Sequence, residues 1–359
     1  MRTDVPHQAG VADREFLGEL TAACKWWSRQ RTWRVTSSFT GGGVIAEFEH
    51  LVARRVARDA LALALPSATA ALVTGLRALN VAPGAVIGVP ALDGIAARAA
   101  AGLLGIRTRA LPVDRVTGLL DPARLEQEAG LAAVIAVHRH GIACDVPGLR
   151  QAWPEVPVIE DAAGAFAARY PAGRPVGSAA DACAFSFNAA KTPSAGELGC
   201  LVTRNPGLHT SAVELTQHPV RQLVAGVTSP KDDQPMMRVA PAVALLGAYA
   251  VQRHTAQVPL LRQAGAQLAA DLAGAGLDVL TDPDLHAPGV IAVRADATAV
   301  RAALRDLTLA AGVTVASVRQ PELRVHPDAA GDPDLAALAR AIVTITLTCR
   351  RTRHVRQFD

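Results

Sequence analysis

Apolar and polar positions alternate in short runs along the first two-thirds of the chain, and helical periods fill the spaces between them. The runs "ALALALP" (60–66), "AVIGVP" (85–90), "RTRALPV" (107–113) and "AAVIAVH" (132–138) predict strands. So do "VPVIED" (156–161), "ACAFSF" (182–187) and "CLVTR" (200–204). Helices are predicted over "TAALVTGLRAL" (69–79), "GIAARAAAGLLG" (94–105) and "DPARLEQEAG" (121–130). Asp121 as N-cap and Pro122 in the first turn open the last of these. Strands alternating with helices predict an α/β fold, a mainly parallel sheet lying between helical layers.

From about residue 238 the pattern changes. A helical period runs to about residue 276, with Pro259 expected to kink or break it. A strand "GVIAVRA" (289–295), a helix around 297–311 and a strand "VTVAS" (313–317) follow. The helix "DLAALARAIV" then leads into the strand "TITLT" (344–348). The expected organisation is an N-terminal arm over 1–35, a large domain over 36–250 and a smaller α+β domain over 251–359. "GVTSPKDDQP" (226–235) and "HPDAAGDPD" (326–334) read as loops. "TGGGVIAEF" (40–48) reads as a flexible lead into a helix. Its glycines lack the GxGxxG spacing, so a dinucleotide fingerprint does not follow.

Composition narrows the field. The net charge of +4 is mild and scattered, which argues against nucleic acid as a partner. The densest basic run, "CRRTRHVR", reads as a solvated tail. The opening "MRTDVPHQAGVADREF" has acidic residues and no apolar core segment, unlike a signal peptide. "ALALALPSATAALVTGL" is interrupted by Pro66, Ser67 and Thr69 and predicts strand, turn and helix instead of a membrane span. Cys24, Cys144, Cys183, Cys200 and Cys349 show no CxxC spacing, so neither a disulfide framework nor a metal site is expected. A cytoplasmic protein is the expectation.

One residue choice points to chemistry. Arginine supplies 33 of the 36 basic side chains, yet "FSFNAAK" ends in Lys191 just after a predicted strand. A guanidinium stays charged, whereas a lysine amine can lose its proton and act as a nucleophile. Two more features fall at strand ends, where ligands gather in open α/β sheets. "LPSATAAL" sets Ser67, Ala68 and Thr69 between a strand and a helix start, a place for an anion such as phosphate or for simple N-capping. "VIEDAAG" ends its strand with Glu160 and Asp161, where a carboxylate can ligate metal, bind ribose, pair with a cationic ring nitrogen or cap a helix. An anion cradle, an acid and a lysine together are what pyridoxal phosphate requires.

The motifs in their order resemble the DegT/StrS-type family of PLP-dependent sugar aminotransferases, which has the type I aspartate-aminotransferase-like fold. "LPSATAAL" is similar to the family's phosphate loop, and "APGAVIGVPALDG" to its PGDEVIVP strand. "VHRHGIACD" (137–145) is similar to VHxYGxPxD, "IEDAAGAFAARY" to EDAAQAHGA, and "FSFNAAKTPSAGELG" to SFxxxK…GEGG. The resemblance implies pyridoxal 5'-phosphate linked to Lys191 as a Schiff base, with Asp161 against the pyridinium. It implies Ser67, Ala68, Thr69 and Ser186 around the phosphate, a small-molecule amino donor and acceptor, and a homodimer with composite active sites. Amino transfer to a keto-sugar nucleotide, cyclitol or related intermediate is the first reading. A lyase, dehydration or cyclisation step with the same cofactor is the second, and a non-catalytic partner subunit the third.

The chain departs from the family's pattern at four places. Gly164 stands where the family has a glutamine, Phe166 where it has a histidine, Gly94 where it has a stacking aromatic, and Met236 where it has a cross-subunit asparagine. His138, His140, Trp26 and Trp27 are candidates to fill the gap. Arg139 and Arg238 are candidates to meet a diphosphate.

Overall fold

The computed structural model describes residues 9–29, 39–93, 95–124, 130–305, 307, 309, 312–320 and 324–349. Two helices come first, α1 (Ala9–Ser28) and α2 (Val44–Val56). The alternating region follows as β1 (Leu61–Leu65), α3 (Ala68–Ala78), β2 (Val86–Pro90), β3 (Leu92–Asp93), α4 (Ala96–Leu103) and β4 (Arg107–Leu111). It continues through β5 (Ala133–Val137), α5 (Val146–Ala152), β6 (Val158–Asp161), β7 (Ala182–Ser186) and β8 (Gly199–Thr203). Next come α6 (Pro206–Thr216), α7 (Pro219–Val224) and the long α8 (Pro241–Gly274). The last part holds β9 (Asp278–Val279), β10 (Val290–Arg294), α9 (Ala297–Arg305), β11 (Val313–Arg319), β12 (Arg324–Val325), α10 (Pro333–Ala341) and β13 (Ile342–Cys349).

The larger sheet has the order β1-β8-β7-β6-β5-β2-β4. β8 runs antiparallel to both β1 and β7, while β7, β6, β5, β2 and β4 pair in parallel. Period-2 alternation loads both faces with apolar side chains, as a sheet covered on both sides needs. On β5, Val134 and Ala136 join one core, while Ala133, Ile135 and Val137 join the other. The smaller sheet, β11-β13-β10-β9, is antiparallel throughout and packs its apolar face against α8 and α9. The architecture is thus α/β, a mainly parallel sheet between helical layers with a smaller antiparallel sheet beyond it.

Pro259 does not break its helix: α8 runs continuously for 34 residues with the proline inside. Before the proline, Leu245, Ala248 and Val251 bury into the large core. Beyond it, Leu261, Ala264 and Leu268 bury under the small sheet. Burial on both sides outweighs the roughly 3 kcal/mol that a mid-helix proline costs. The arm contains a helix that the apolar pattern alone did not reveal, and α1 packs on α8 with Glu19 bonded to Arg253 at 2.9 Å. Of the helix expected over 121–130, a 3-10 turn at Pro122–Arg124 is described, and 125–129 lie outside the described residues. The helix expected around 297–311 ends at Arg305, with 306, 308, 310 and 311 outside them, as is the basic tail from residue 350. Among the described residues no helix is long and apolar enough to cross a membrane.

Candidate active site

The parallel strands deliver their carboxyl ends to one edge of the sheet, and the register there sorts two adjacent acids. β5 pairs with β6 so that Val137 faces Asp161. Alternation along β6 then sends Glu160 and Asp161 to opposite faces. Glu160 is fully buried. It accepts hydrogen bonds from Tyr170 Oη (2.6 Å), Gly177 N (2.8 Å) and Ala180 N (3.2 Å), with His138 Nε2 at 2.8 Å. Cys144 N donates to His138 Nδ1 at 2.9 Å, so a neutral His138 carries its proton on Nε2 and donates it to Glu160. His138 was a candidate to fill the gap beside the site; its ring is instead committed to this buried network.

Asp161 takes the other face and lines a cavity of about 530 Å³ together with Lys191, Gly164, His140, Arg319 and Thr344. Its carboxylate accepts from Ala163 N at 3.0 Å. Burial pushes the Asp161 pKa up, against the pull of the Ala163 N–H and the charges of Lys191, His138 and Arg139. Burial likewise pushes Lys191 down, opposed by Asp161 and reinforced by the Arg319 guanidinium. Both groups are thus driven toward their uncharged forms, the state in which a lysine is a nucleophile and a proton acceptor.

The remaining expected residues assemble at the next strand ends. Ser67 caps α3, its hydroxyl accepting from Ala70 N at 3.1 Å, and Ala68 and Thr69 open the helix. Gly199 on β8 pairs with Leu65 on one side and Ser186 on the other. A Cβ at Gly199 would lie 2.1 Å from the Ser67 carbonyl carbon and 2.5 Å from Ala68 N. The backbone of the Ser67 turn therefore rests directly on β8, next to Ser186. Ser186 is buried, and its hydroxyl accepts from Asn188 N at 3.5 Å. Ser67, Ala68, Thr69 and Ser186 come together here, but none of them lines the cavity that holds Lys191.

Several gap-filling candidates are placed elsewhere. Trp26 and Trp27 pack with each other and against the large core, Trp26 touching Tyr249. Phe166 stacks edge-on to Phe185 and Phe187 inside that core. Met236 is exposed and does not line the cavity, and Gly94 lies outside the described residues. Arg139 does line it, with its Nε donating to Gly118 O at 3.1 Å, whereas Arg238 sits over the Phe39 ring at 4.8 Å, away from the cavity. At Gly164 a Cβ would meet nothing within 4 Å.

His140 remains beside the cavity. Its backbone is left-handed, with φ at 53°. Its Nδ1 lies 3.0 Å from Thr344 Oγ1, and its buried Nε2 has no partner among the described residues. Burial and the Arg139 charge push its pKa down to about 3, so the ring is neutral. The opposite wall was not foreseen from the sequence. It comes from the small sheet, where Ser317, Arg319, Thr344 and Thr346 line the cavity.

A lysine and an acid thus share one strand-end cavity of this sheet. The chain belongs to the DegT/DnrJ/EryC1/StrS aminotransferase family, whose sequence model matches residues 29–233. Among curated relatives it is 34% identical over 175 residues to Protein MosB of Rhizobium meliloti, covering 48% of this chain and 34% of that one. It is 33% identical over 200 residues to the 3-amino-5-hydroxybenzoate synthase of Amycolatopsis mediterranei (strain S699), covering 53% and 47%. The chain therefore spans about a third and about half the length of these two relatives. Among solved structures, the PLP form of Spr1654 from Streptococcus pneumoniae aligns with a TM-score of 0.69 at 20% identity, over 92% of this chain and 90% of that one.

Proposed function

We propose that this protein binds pyridoxal 5'-phosphate at Lys191 and transfers an amino group from a small-molecule donor to a cyclic keto acceptor. The observation that carries the reading is the shared cavity of Lys191 and Asp161, with burial lowering the pKa of the lysine. The residues present fit the cofactor's three ends. Lys191 suits its aldehyde and Asp161 its ring nitrogen. The Ser67–Thr69 helix start with Ser186 suits its phosphate.

When bound, pyridoxal phosphate supplies a ring that accepts electrons from a substrate carbon. The chain's own residues supply the rest. Lys191 Nζ, its pKa lowered by burial, would take a proton from the substrate carbon and return it. The Asp161 carboxylate sets a negative charge against the ring nitrogen and holds a proton there, which relieves its own unfavourable burial. Ala163 N–H fixes the orientation of that carboxylate, and the Glu160–His138–Tyr170 network behind it holds the two strand ends in place. The Ser67 and Ser186 hydroxyls and the first N–H groups of α3 anchor an anion.

On this reading the chain divides into an arm over 1–35, a cofactor-binding unit over 36–250 and a smaller unit over 251–359. Family resemblance supports a cytoplasmic homodimer with composite sites. The acceptor is a keto-sugar nucleotide, cyclitol or related ring of a specialised biosynthetic pathway; the name of the Amycolatopsis relative, which carries an aminated ring, supports that choice. The open space at Gly164 favours a second reading, in which the same cofactor serves a lyase or dehydration step.

The test is spectroscopic. Protein incubated with pyridoxal phosphate should turn yellow, and borohydride should fix the cofactor to the peptide containing Lys191. Glutamate or glutamine should then bleach the band if amino transfer is the reaction. A persistent band selects the second reading. Equal attachment to Lys191→Ala sinks both.

A further inference from the structure

Three arginines from separate elements meet outside the Lys191 cavity, and none of them lines it. Arg55 stands in the last turn of α2, Arg169 in the loop between β6 and β7, and Arg262 in α8. α2 packs on α8, and Val56, next to Arg55, comes within 3.2 Å of where a Cβ would stand on Gly177 in the Arg169 loop. Arg262 Nη2 donates to Ala167 O of that loop at 3.2 Å. Its Nη1 donates to Pro283 O at 2.5 Å and His286 O at 3.3 Å, while Arg169 N donates to Leu285 O at 2.6 Å. The loop of Arg169, the turn over 283–286 and α8 are thus tied together, with the end of α2 beside them.

Like charges repel, so a cluster of guanidiniums is costly unless acids or a ligand answer it. Among the described residues no carboxylate bonds to any of the three. Arg169 Nη1 donates to Gly173 O at 2.6 Å, and Arg262 holds the carbonyls already named. Arg55 makes no hydrogen bond or ion pair among the described residues, and its Nε is buried. Burial and then the Arg169 charge push the Arg55 pKa down; burial, Arg169 and Arg55 do the same to Arg262. Asp284 and Asp282 pull Arg262 the other way without bonding to it, and Asp282 Oδ1 accepts from Asp284 N and Leu285 N. His254 lies against the Phe166 ring at 5.7 Å, with both nitrogens buried and without a partner among the described residues. Burial and then the charges of Arg55, Arg253 and Arg262 keep it neutral, so it adds no charge to the cluster.

We propose that Arg55, Arg169 and Arg262 form a second ligand site, separate from the Lys191 cavity, for a phosphate or diphosphate group. One carboxylate satisfies one guanidinium fork and carries one charge. Three forks without an acid match a group with more acceptor oxygens and more than one negative charge. Arg169 is exposed while Arg55 and Arg262 are partly buried, so the site is open to solvent on one side. Arg55 precedes the N-terminal end of β1, whereas the Lys191 cavity lies at the carboxyl ends of the strands. The site stands whatever reaction Lys191 carries out.

Calorimetry and thermal denaturation of the full chain test it, in excess pyridoxal phosphate and at constant ionic strength set with chloride. The probes are inorganic phosphate, pyrophosphate and UDP. The proteins are wild type, Arg55→Gln, Arg55→Lys and, as a control one residue away on the exposed side of α2, Arg54→Gln. Pyrophosphate should bind the wild type saturably and raise its melting temperature. Arg55→Gln should weaken that binding ~10- to 100-fold, Arg55→Lys should keep part of it, and Arg54→Gln should keep nearly all. Arg55 makes no bond in the free chain, so ligand-free Arg55→Gln should melt at or above the wild type. UDP binding at least as tightly as pyrophosphate assigns the group to a nucleotide, and weaker UDP binding assigns a free anion. The proposal is overturned by the absence of saturable binding, by binding unchanged in Arg55→Gln, or by equal losses in Arg54→Gln and Arg55→Gln. Displacement of the anion by pyridoxal phosphate overturns it too, as does a clear fall in the melting temperature of ligand-free Arg55→Gln.

Discussion

Thr344 Oγ1 on β13 lies 3.0 Å from His140 Nδ1, so a single hydrogen bond ties the small sheet to the loop beyond β5 that borders the Lys191 cavity. The His140 ring has one nitrogen partnered here and the other buried without a partner among the described residues. Thr344→Val keeps the shape and removes the hydroxyl, leaving both nitrogens unsatisfied. A loss of about 1–3 kcal/mol in urea unfolding is expected. Thr344→Ser, which restores the hydroxyl, should recover most of it.

Acid should destabilise the fold through its buried histidines. His140 and His254 are each pushed down to about 3, mainly by burial and then by neighbouring arginines. The unfolded chain takes up a proton on each near the ordinary value of about 6.5, while the folded chain does not. The neutral rings therefore contribute their full share above about pH 6.5 and lose it progressively as pH falls toward 3, by about 1.4 kcal/mol per pH unit per histidine. Urea midpoints at pH 7 and pH 5 measure the slope. His254→Leu should reduce that slope, because both His254 nitrogens are buried without a partner among the described residues.

Gly199 is the contact on which the Ser67 turn rests. Gly199→Ala places a methyl 2.1 Å from the Ser67 carbonyl carbon, against backbone that has no rotamer to move away. Either β8 or the turn has to shift. Destabilisation of about 3 kcal/mol is expected, with weaker binding of pyridoxal phosphate if that turn holds the phosphate. Thermal denaturation and a cofactor titration report the two effects separately.

Gly164 is the opposite case. A side chain there meets open cavity, so Gly164→Gln should fold with stability within about 0.5 kcal/mol of the parent. A change in the absorption or affinity of bound pyridoxal phosphate in this variant would place position 164 beside the cofactor. Unchanged values for both would separate it from the cofactor.

Much of the fold was legible because its signals are local. Seven strands of the large sheet fall where the apolar runs stand, with Asp161 closing one strand and Ser67 and Lys191 lying shortly beyond the ends of two others. The unforeseen parts depend on distant partners. Pro259 is a breaker by its own chemistry, yet it is carried inside α8 because cores on both sides bury the helix around it. His138 and His140 are two residues apart, looked equivalent and both border the cavity, but the ring of one is bonded to buried Glu160 and that of the other to Thr344 of the small sheet.

The sequence by itself determined the alternation of strands and helices, the family, and the lysine and acid at strand ends, since periodicity and residue chemistry are written position by position. Only the tertiary structure decided that Glu160 turns into a buried network while Asp161 lines the cavity, and which wall closes the site. Those outcomes depend on the β5–β6 register and on one extra residue in β11, and a change of register by one position turns every side chain to the other face.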